Sequence, residues 1–510
     1  MEVRKRRLEL TIWAFLLSLS FYPGWFGFLA WISLVRPFMI LSRLEGKAAF
    51  RSAYFFSFCF NAFSLYWVAQ VTPPGIFTAI VIVAFYLTSI LMIFNKLYHL
   101  KPIYGMVSIP FLWVGLEYFR TLSEFAFPWC DLGYSQSYYL YILQSVSVIS
   151  VHGLSFLILI VNVLLWQIFR PTVDIARKIT CGWISVGIVT LLIAFGWAVI
   201  PIIPIPGKYP VTILQGSVPI EVKWQDGNEE HSFTLYDSLA RSAPDTTSRL
   251  FIWPETSAPS YLSHDQRHRR WIGATARATG ASHLVGALGA GPRDGTIRHY
   301  NSAYLFDSSG ALTGRYDKVK LVPFTEQVPY QNSLPFLRKE FLTRYLTFIE
   351  TYDVQFWSDF YPGDSARLFT AGDAWFGPLI CYEVFFPEYV RGMILDGAEF
   401  IVEITNDTWF GHSVGIHMHS RAFVTRAVEN RCWGARAANS GLSYIVDGYG
   451  RKRSELELDQ VAALSGHLKL LDEFSFFTRH GDIAGLMAFL ITLMLAAILG
   501  VRWFVRKFQT

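Results

Sequence analysis

The sequence predicts a membrane α-helical bundle of about eight spans joined to one water-soluble layered α/β domain. Three observations point there. Hydrophobic residues make up 52% of the 510 residues and charged residues only 16%, with a mean hydropathy of +0.32, which excludes a wholly soluble chain. Residues 1 to 206 hold 14 Lys/Arg against 7 Asp/Glu, residues 207 to 478 hold 26 against 31, and residues 479 to 510 hold 4 against 1. An apolar basic head and tail thus flank an acidic polar middle, which is no nucleic-acid footprint. Finally, long apolar runs are confined to head and tail, while the middle alternates short apolar runs with polar helical windows. The expected domains are a membrane domain over 1–206 with about seven transmembrane helices, an extracytoplasmic domain over 207–478, and a last span with a cytoplasmic tail over 479–510.

In chain order, apolar stretches approaching the ~20 residues of a bilayer-crossing helix lie at about 9–22, 24–41, 50–69, 75–94, 103–119, 139–168, 179–203 and 483–504. The first two are short and separated by Pro23-Gly24, and they read either as a tight helical hairpin or as one re-entrant element. Arg4, Lys5, Arg6 and Arg7 head the chain, and Arg43, Lys47 and Arg51, then Lys96 and Lys101, then Arg170, Arg177 and Lys178 mark alternate connections, with Arg120 the exception on the other side. The positive-inside rule then sets the N-terminus in the cytoplasm and residue 207 outside it, and Arg502, Arg506 and Lys507 return the tail to the cytoplasm. The charged head is followed by no small-residue cleavage site and reads as a topology signal.

From Pro206 to about Arg479 the pattern changes. Val211 to Gln215, Leu250 to Trp253, His283 to Leu288, Ser302 to Phe306, Gly377 to Cys381 and Phe400 to Ile404 read as strands. Glu229 to Arg241, His264 to Thr279, Pro387 to Leu395 and His417 to Glu429 read as helices, the third opening on a first-turn proline.

A G-x-S-x-G elbow, a Walker loop and HExxH are all missing. Three polar residues at or just past strand ends remain: Glu255 in Trp-Pro-Glu, Lys318 after Tyr316-Asp317, and Cys381 before Tyr382-Glu383. Singly they are bland, since a cysteine ending an apolar strand is ordinarily a small buried hydrophobe and a lone Glu or Lys a solvated charge. Jointly they supply a base, an electrostatic stabiliser and a nucleophile, the parts of acyl transfer through a thioester.

These strings resemble the Glu-Lys-Cys motifs of the nitrilase, or carbon-nitrogen hydrolase, superfamily. Leu321-Val322-Pro323-Phe324 with Glu326, Asn406-Asp407-Thr408-Trp409-Phe410-Gly411, and Phe127-Pro128-Trp129 with Gly133-Tyr134-Ser135-Gln136 narrow the resemblance to the bacterial apolipoprotein N-acyltransferase family over nearly the whole chain. The resemblance implies a nitrilase-like α-β-β-α sandwich outside the cytoplasm of a bacterial inner membrane. It implies that Cys381 takes a fatty acyl chain from a phospholipid and passes it to the α-amino group of a diacylated apolipoprotein, with Glu255 as acid and base and Lys318 on the oxyanion. Glu326 and Glu383 match supporting positions, Trp224 a tryptophan near the substrate, and Tyr382 a residue shaping the site. No cofactor, metal or nucleic acid is implied; the other partner is membrane lipid, and the chain is expected to be a monomer. A membrane-tethered amidase is the alternative, using the same triad with water resolving the thioester, as is an acyltransferase with another acceptor. A transporter is disfavoured by the few ionisable residues in the spans, Glu117 being the remaining candidate.

Two positions depart from the family pattern. Thr325 stands where Gly is usual, so the loop carrying Glu326 is expected to be displaced, and His412 to His419 lacks the usual Gln-His pair. His412, His417 and His419 lack a matching fourth ligand and read as polar loop and helix residues rather than a metal site. Five cysteines without regular spacing make no disulfide framework. Between Lys318 and Cys381, Phe336, Phe341, Tyr345, Phe348, Tyr352, Phe356, Trp357, Phe360 and Tyr361 interleave with Arg338, Lys339 and Arg344, which suits an interfacial flap better than a buried subdomain.

Overall fold

The computed structural model describes residues 2–509 apart from 72, 226, 332, 335 and 337–359. The chain forms two compact units, Met1–Ile200 with His480–Thr510, and Pro201–Arg479. Most of the aromatic connection, including Phe341, Tyr345, Phe348, Tyr352, Phe356 and Trp357 and the basic Arg338, Lys339 and Arg344, lies outside the described residues.

In the first unit the main helices are Glu2–Leu19, Val35–Leu41, Gly46–Leu65, Pro73–Leu100, Pro102–Phe119, Val146–Ile168, Ile175–Val199 and Ile483–Gln509. Among the described residues four helices are long and apolar enough to cross a membrane: Ala79–Leu100, Val146–Ile168, Ile175–Val199 and Ile483–Arg502. Trp183, Leu191 and Trp197 on the third and Leu490, Leu493 and Met494 on the fourth are exposed, an apolar surface suited to lipid.

The apolar run 24–41 is not one helix. It folds as a short 3₁₀ helix, Trp25–Trp31, followed by Val35–Leu41. Gly24 has φ +107°, and a Cβ on Gly27 would lie 2.4 Å from the Ser135 carbonyl oxygen, so the backbone approaches too closely for any other residue. Irregular backbone persists in apolar surroundings only when neighbours satisfy its polar groups. Here Asn162 donates to the Ala30 carbonyl at 2.8 Å and accepts from the Leu34 N–H at 2.9 Å. Gln136 accepts from the Trp31 indole at 2.9 Å and donates to the Gly27 carbonyl at 2.8 Å. Likewise the run 139–168 divides into Leu140–Leu143 and Val146–Ile168, the latter kinked at Ser150, φ +64°. Glu117 accepts from the Trp113 indole at 3.0 Å and from the Leu132 N–H at 2.8 Å, while Arg120 pairs with Asp131 and His152 with Asp482.

The second unit holds thirteen strands among its described residues: β1 Tyr209–Gln215, β2 Leu250–Ile252, β3 Ala258–Tyr261, β4 Ser282–Arg293, β5 Thr296–Phe306, β6 Leu312–Asp317, β7 Phe369–Ala371, β8 Ala374–Ile380, β9 Phe400–Thr405, β10 Gly434–Ala438, β11 Tyr444–Val446, β12 Lys452–Glu455 and β13 Ala462–Leu468. One sheet runs β13-β1-β2-β4-β5-β6 with β3 beside β4, and the other runs β12-β11-β10-β9-β8-β7. Each has a parallel triplet, β1-β2-β4 and β8-β9-β10; β3 also runs parallel to β4, and the remaining strands are antiparallel to their neighbours. Parallel neighbours need a crossover. Helices Glu229–Arg241 and Gln266–Thr279 follow β1 and β3 in the first sheet, and Pro387–Leu395 and Val414–Asn430 connect β8, β9 and β10 in the second. The sheets meet through side chains such as Tyr209 of β1 and Phe400 of β9, ring centres 5.3 Å apart. On the outer side of the first sheet, Phe233, Tyr236 and Ile272 of its helices pack with Phe251, Trp253 and Val285 in one core. The result is four layers, helix, sheet, sheet, helix.

Candidate active site

Sites in open α/β sheets form beyond the carboxyl ends of strands, and this unit follows that rule. Glu255 lies three residues past β2, Cys381 directly follows β8, Asn406 directly follows β9, and Lys318 directly follows β6. The cysteine had been expected as the last residue of a strand. It instead opens the 3₁₀ turn Cys381–Phe385 with φ +52°, a left-handed conformation uncommon for a non-glycine residue and costly to hold.

The polar side chains around it are buried. Lys318 Nζ donates to Glu326 Oε1 at 2.8 Å and lies 3.8 Å from Glu255 Oε1. Asn301 Nδ2 donates to Glu255 Oε1 at 2.7 Å and to Glu326 Oε1 at 3.2 Å. The Asn406 N–H donates to Glu255 Oε2 at 2.8 Å, so each Glu255 oxygen has a fixed donor. Burial and the charge of Glu255 hold the Cys381 thiol well above its ordinary value, against the pull of Lys318 and a hydrogen bond with Thr405. Burial alone would lower Lys318, but Glu326, Cys381 and Glu255 together hold it above its ordinary value. The arrangement is a protonated thiol, a carboxylate held by two donors and a buried ammonium in one buried cluster.

Glu326 is the carboxylate bonded to Lys318. Its second oxygen accepts from the Val322 N–H at 2.8 Å. Displacement of the loop carrying Glu326 is expected because Thr tolerates positive φ poorly; here Thr325 itself is not left-handed, and Glu326 still reaches Lys318. The left-handed residues of that loop are Phe324, φ +63°, and Tyr330, φ +59°, so Thr325 is spared the strained conformation. Glu383 is wholly buried and ties two loops together, accepting from Tyr316 Oη at 2.6 Å, from the Val319 N–H at 2.7 Å and from the Ile380 N–H at 2.8 Å. Tyr382 is buried, its ring 5.4 Å from that of Phe386. Trp224 is 45% exposed and so belongs to no core. Of the histidines, His412 pairs with Asp459 at 3.2 Å on the surface, whereas His419 is buried between Asp407 at 3.0 Å and Glu403 at 3.1 Å. No cluster suited to a metal ion occurs among the described residues.

Sequence reasoning missed four features. Asn301 clamps both carboxylates, and a single amide in the apolar run Tyr300 to Phe306 was the available signal. The Asn406 N–H has no side-chain signature. Lys223 is 1% exposed, with its Nζ 3.5 Å from Thr256 Oγ1. Arg436 donates to Glu403 at 2.8 Å and to Asp407 at 2.9 and 3.1 Å, wholly buried behind the loop that carries Asn406.

A double-sheet sandwich with this buried Glu, Lys and Cys group defines the carbon-nitrogen hydrolase class, and the family model described as carbon-nitrogen hydrolase matches residues 211–460. The model described as the apolipoprotein N-acyltransferase N-terminal domain matches residues 13–164. The chain is 33% identical over 500 residues to the apolipoprotein N-acyltransferase of Geobacter metallireducens, covering 94% of this chain and 92% of that one. It is 28% identical over 522 residues to that of Chlorobaculum tepidum, covering 96% and 95%. Among solved structures, an amidase of the nitrilase superfamily from Nesterenkonia aligns with 52% of this chain and 93% of its own, at 21% identity and a TM-score of 0.37. This chain belongs to the apolipoprotein N-acyltransferase family.

Proposed function

We propose that the protein transfers a fatty acyl chain from a membrane phospholipid to the α-amino group of a diacylated apolipoprotein, through a thioester on Cys381. The observation that carries this reading is the meeting of Cys381, Glu255 and Lys318 in one buried cluster in a chain whose family is acyl-transferring. Glu255 removes the thiol proton as sulfur attacks the ester carbonyl, an assistance that a buried thiol needs. Lys318 and the N–H after Cys381 stabilise the tetrahedral oxyanion. The attack forms the carbon–sulfur bond; collapse of the oxyanion re-forms the carbonyl and breaks the carbon–oxygen bond, and Glu255 returns its proton to the departing lysophospholipid oxygen. In the second half the amine attacks the thioester and forms the carbon–nitrogen bond, Glu255 accepts its proton, and that proton passes to the sulfur as the carbon–sulfur bond breaks and the thiol leaves. Asn301 and the Asn406 N–H orient Glu255, while Glu326 holds Lys318 in place.

The same reading includes a membrane domain of about eight spans over 1–206 and 479–510, and a domain over 207–478 on the extracytoplasmic side of a bacterial inner membrane. The apolar helices and the alternating basic connections support that placement. The test is mass spectrometry of a diacylated lipopeptide incubated with enzyme and phospholipid. One added acyl chain on its N-terminal cysteine is expected, with Cys381→Ala giving none and Lys318→Ala slowing both halves by roughly a hundred-fold or more. An unchanged lipopeptide with accumulating free fatty acid would favour the hydrolase instead.

A further inference from the structure

Lys223 ends the short helix Ile220–Lys223, next to the half-exposed Trp224, and its ammonium is buried beside the Glu255 loop. Among the described residues its ammonium makes one long polar contact, 3.5 Å to Thr256 Oγ1, and no carboxylate forms an ion pair with it. A buried ammonium without an ion-pair partner is costly, and Glu255 compensates it only from a longer distance. The residue it touches is strained as well, because Thr256 is β-branched and left-handed at φ +48°. Two local costs therefore coincide at the residue after Glu255, and such coincidences gather where a ligand supplies what the fold lacks.

Resting on the acyl transfer proposed above, we infer that Lys223 forms an anion subsite that receives the phosphodiester of the glycerophospholipid donor. In that reading Glu255 protonates the departing glycerol oxygen, and the phosphodiester hangs from the same glycerol, a short reach beyond that oxygen. A cation on the Thr256 side of Glu255 is where such an anion needs one, and pairing would relieve the unmatched charge. Burial pulls the Lys223 ammonium down to about 8, with Glu255 opposing, so it still carries its charge at neutral pH. The acceptor lipopeptide has no phosphate, so the subsite acts on the first half-reaction alone.

The test uses the full-length enzyme in detergent, as wild type, Lys223→Met and Lys223→Arg, with thioester on Cys381 followed by mass from two donors of the same fatty acid: a diacylglycerophospholipid and a p-nitrophenyl ester. Lys223→Met should acylate roughly ten- to a hundred-fold more slowly from the phospholipid, at the wild-type rate from the p-nitrophenyl ester, and should pass a preformed acyl group to lipopeptide normally. Lys223→Arg should restore part of the phospholipid rate. Equal losses on both donors, or none on either, overturn the subsite. Should Lys223→Met fail to fold, the wild type decides: a phosphate-free diacylglycerol must react roughly ten-fold more slowly than the phospholipid, and equal rates overturn the subsite. Inorganic phosphate that slows the wild type equally with both donors would assign Lys223 to the free ion and overturn its assignment to the donor. Absence of thioester from every donor in the wild type would instead sink the acyl-transfer reading itself.

Discussion

Burial and the charge of Glu255 push the Cys381 thiol the same way, upward, so at rest the sulfur is protonated and unreactive until Glu255 takes the proton. That is a suitable state for a nucleophile that must wait for its acyl donor. Lys223 illustrates the opposite bargain, and its sign can be worked out. Burial lowers its ammonium from 10.5 to about 8, whereas the unfolded chain keeps that proton to ~10.4. Between those values the unfolded state binds more protons, so stability rises with pH across the window, and below about 8 the folded state carries the whole penalty. Lys223→Met should therefore raise the unfolding free energy at pH 7 by roughly 3 kcal/mol, a gain that fades as pH rises from about 8 and is gone above pH ~10.4. Melting in detergent across pH checks this, and a variant less stable than wild type at pH 7 would show that the lysine is better partnered than its contacts indicate. Glu255, Lys318 and Cys381 were legible in the sequence because each follows an apolar strand-like run or a recognisable string. Lys223 was not, since a lysine in a short stretch of mixed polarity gives no sign that its ammonium is buried.

The loop from Asn406 to Ser413 depends on its neighbours in the same way. Its string is readable, yet what fixes it is Arg436 on β10, distant in sequence, which clamps Asp407 just after β9 and Glu403 within it. Burial would raise the Asp407 carboxyl, but Arg436 and His419 hold it well below its ordinary value. His419 also stacks on Phe385 of the Cys381 turn at 5.6 Å, so one buried ionic group supports both the Glu255 donor and the cysteine turn. Arg436→Met strands two buried carboxylates and should cost about 3–5 kcal/mol, read as a loss of melting temperature. Adding Glu403→Gln and Asp407→Asn should recover part of it, and a single variant as stable as wild type would deny the clamp. The helices Glu229–Arg241 and Pro387–Leu395 begin and end where the sequence predicts. Strands β3, β10 and β12 escaped because Ala-Pro-Ser-Tyr, Gly-Ala-Arg-Ala-Ala and Lys-Arg-Ser-Glu carry little strand propensity and owe their conformation to pairing.

Across the whole molecule, hydropathy marks where the apolar segments lie but not where they break, because the breaks at Gly24 and Ser150 are stabilised by Asn162, Gln136 and Asp482 from elsewhere in the unit. This bears on topology through parity. The segments before Arg43 either cross as a hairpin or dip in and return, and both routes bring the chain back to the side from which it started. The basic connections therefore predict the same location for residue 208 in either case. A reporter fused after Lys208 should be active only outside the cytoplasm, and one fused after Lys507 only inside. Cytoplasmic activity at Lys208 would require one later segment not to cross, and would remove the proposed site from the side where its acceptor waits. A third fusion at Gly24 separates the two routes. Activity outside means that helix Glu2–Leu19 and the broken segment Trp25–Leu41 each cross the bilayer. Protection from both compartments means that the break at Gly24 turns the chain back within the membrane, where the Gln136 and Asn162 amides would then substitute for water.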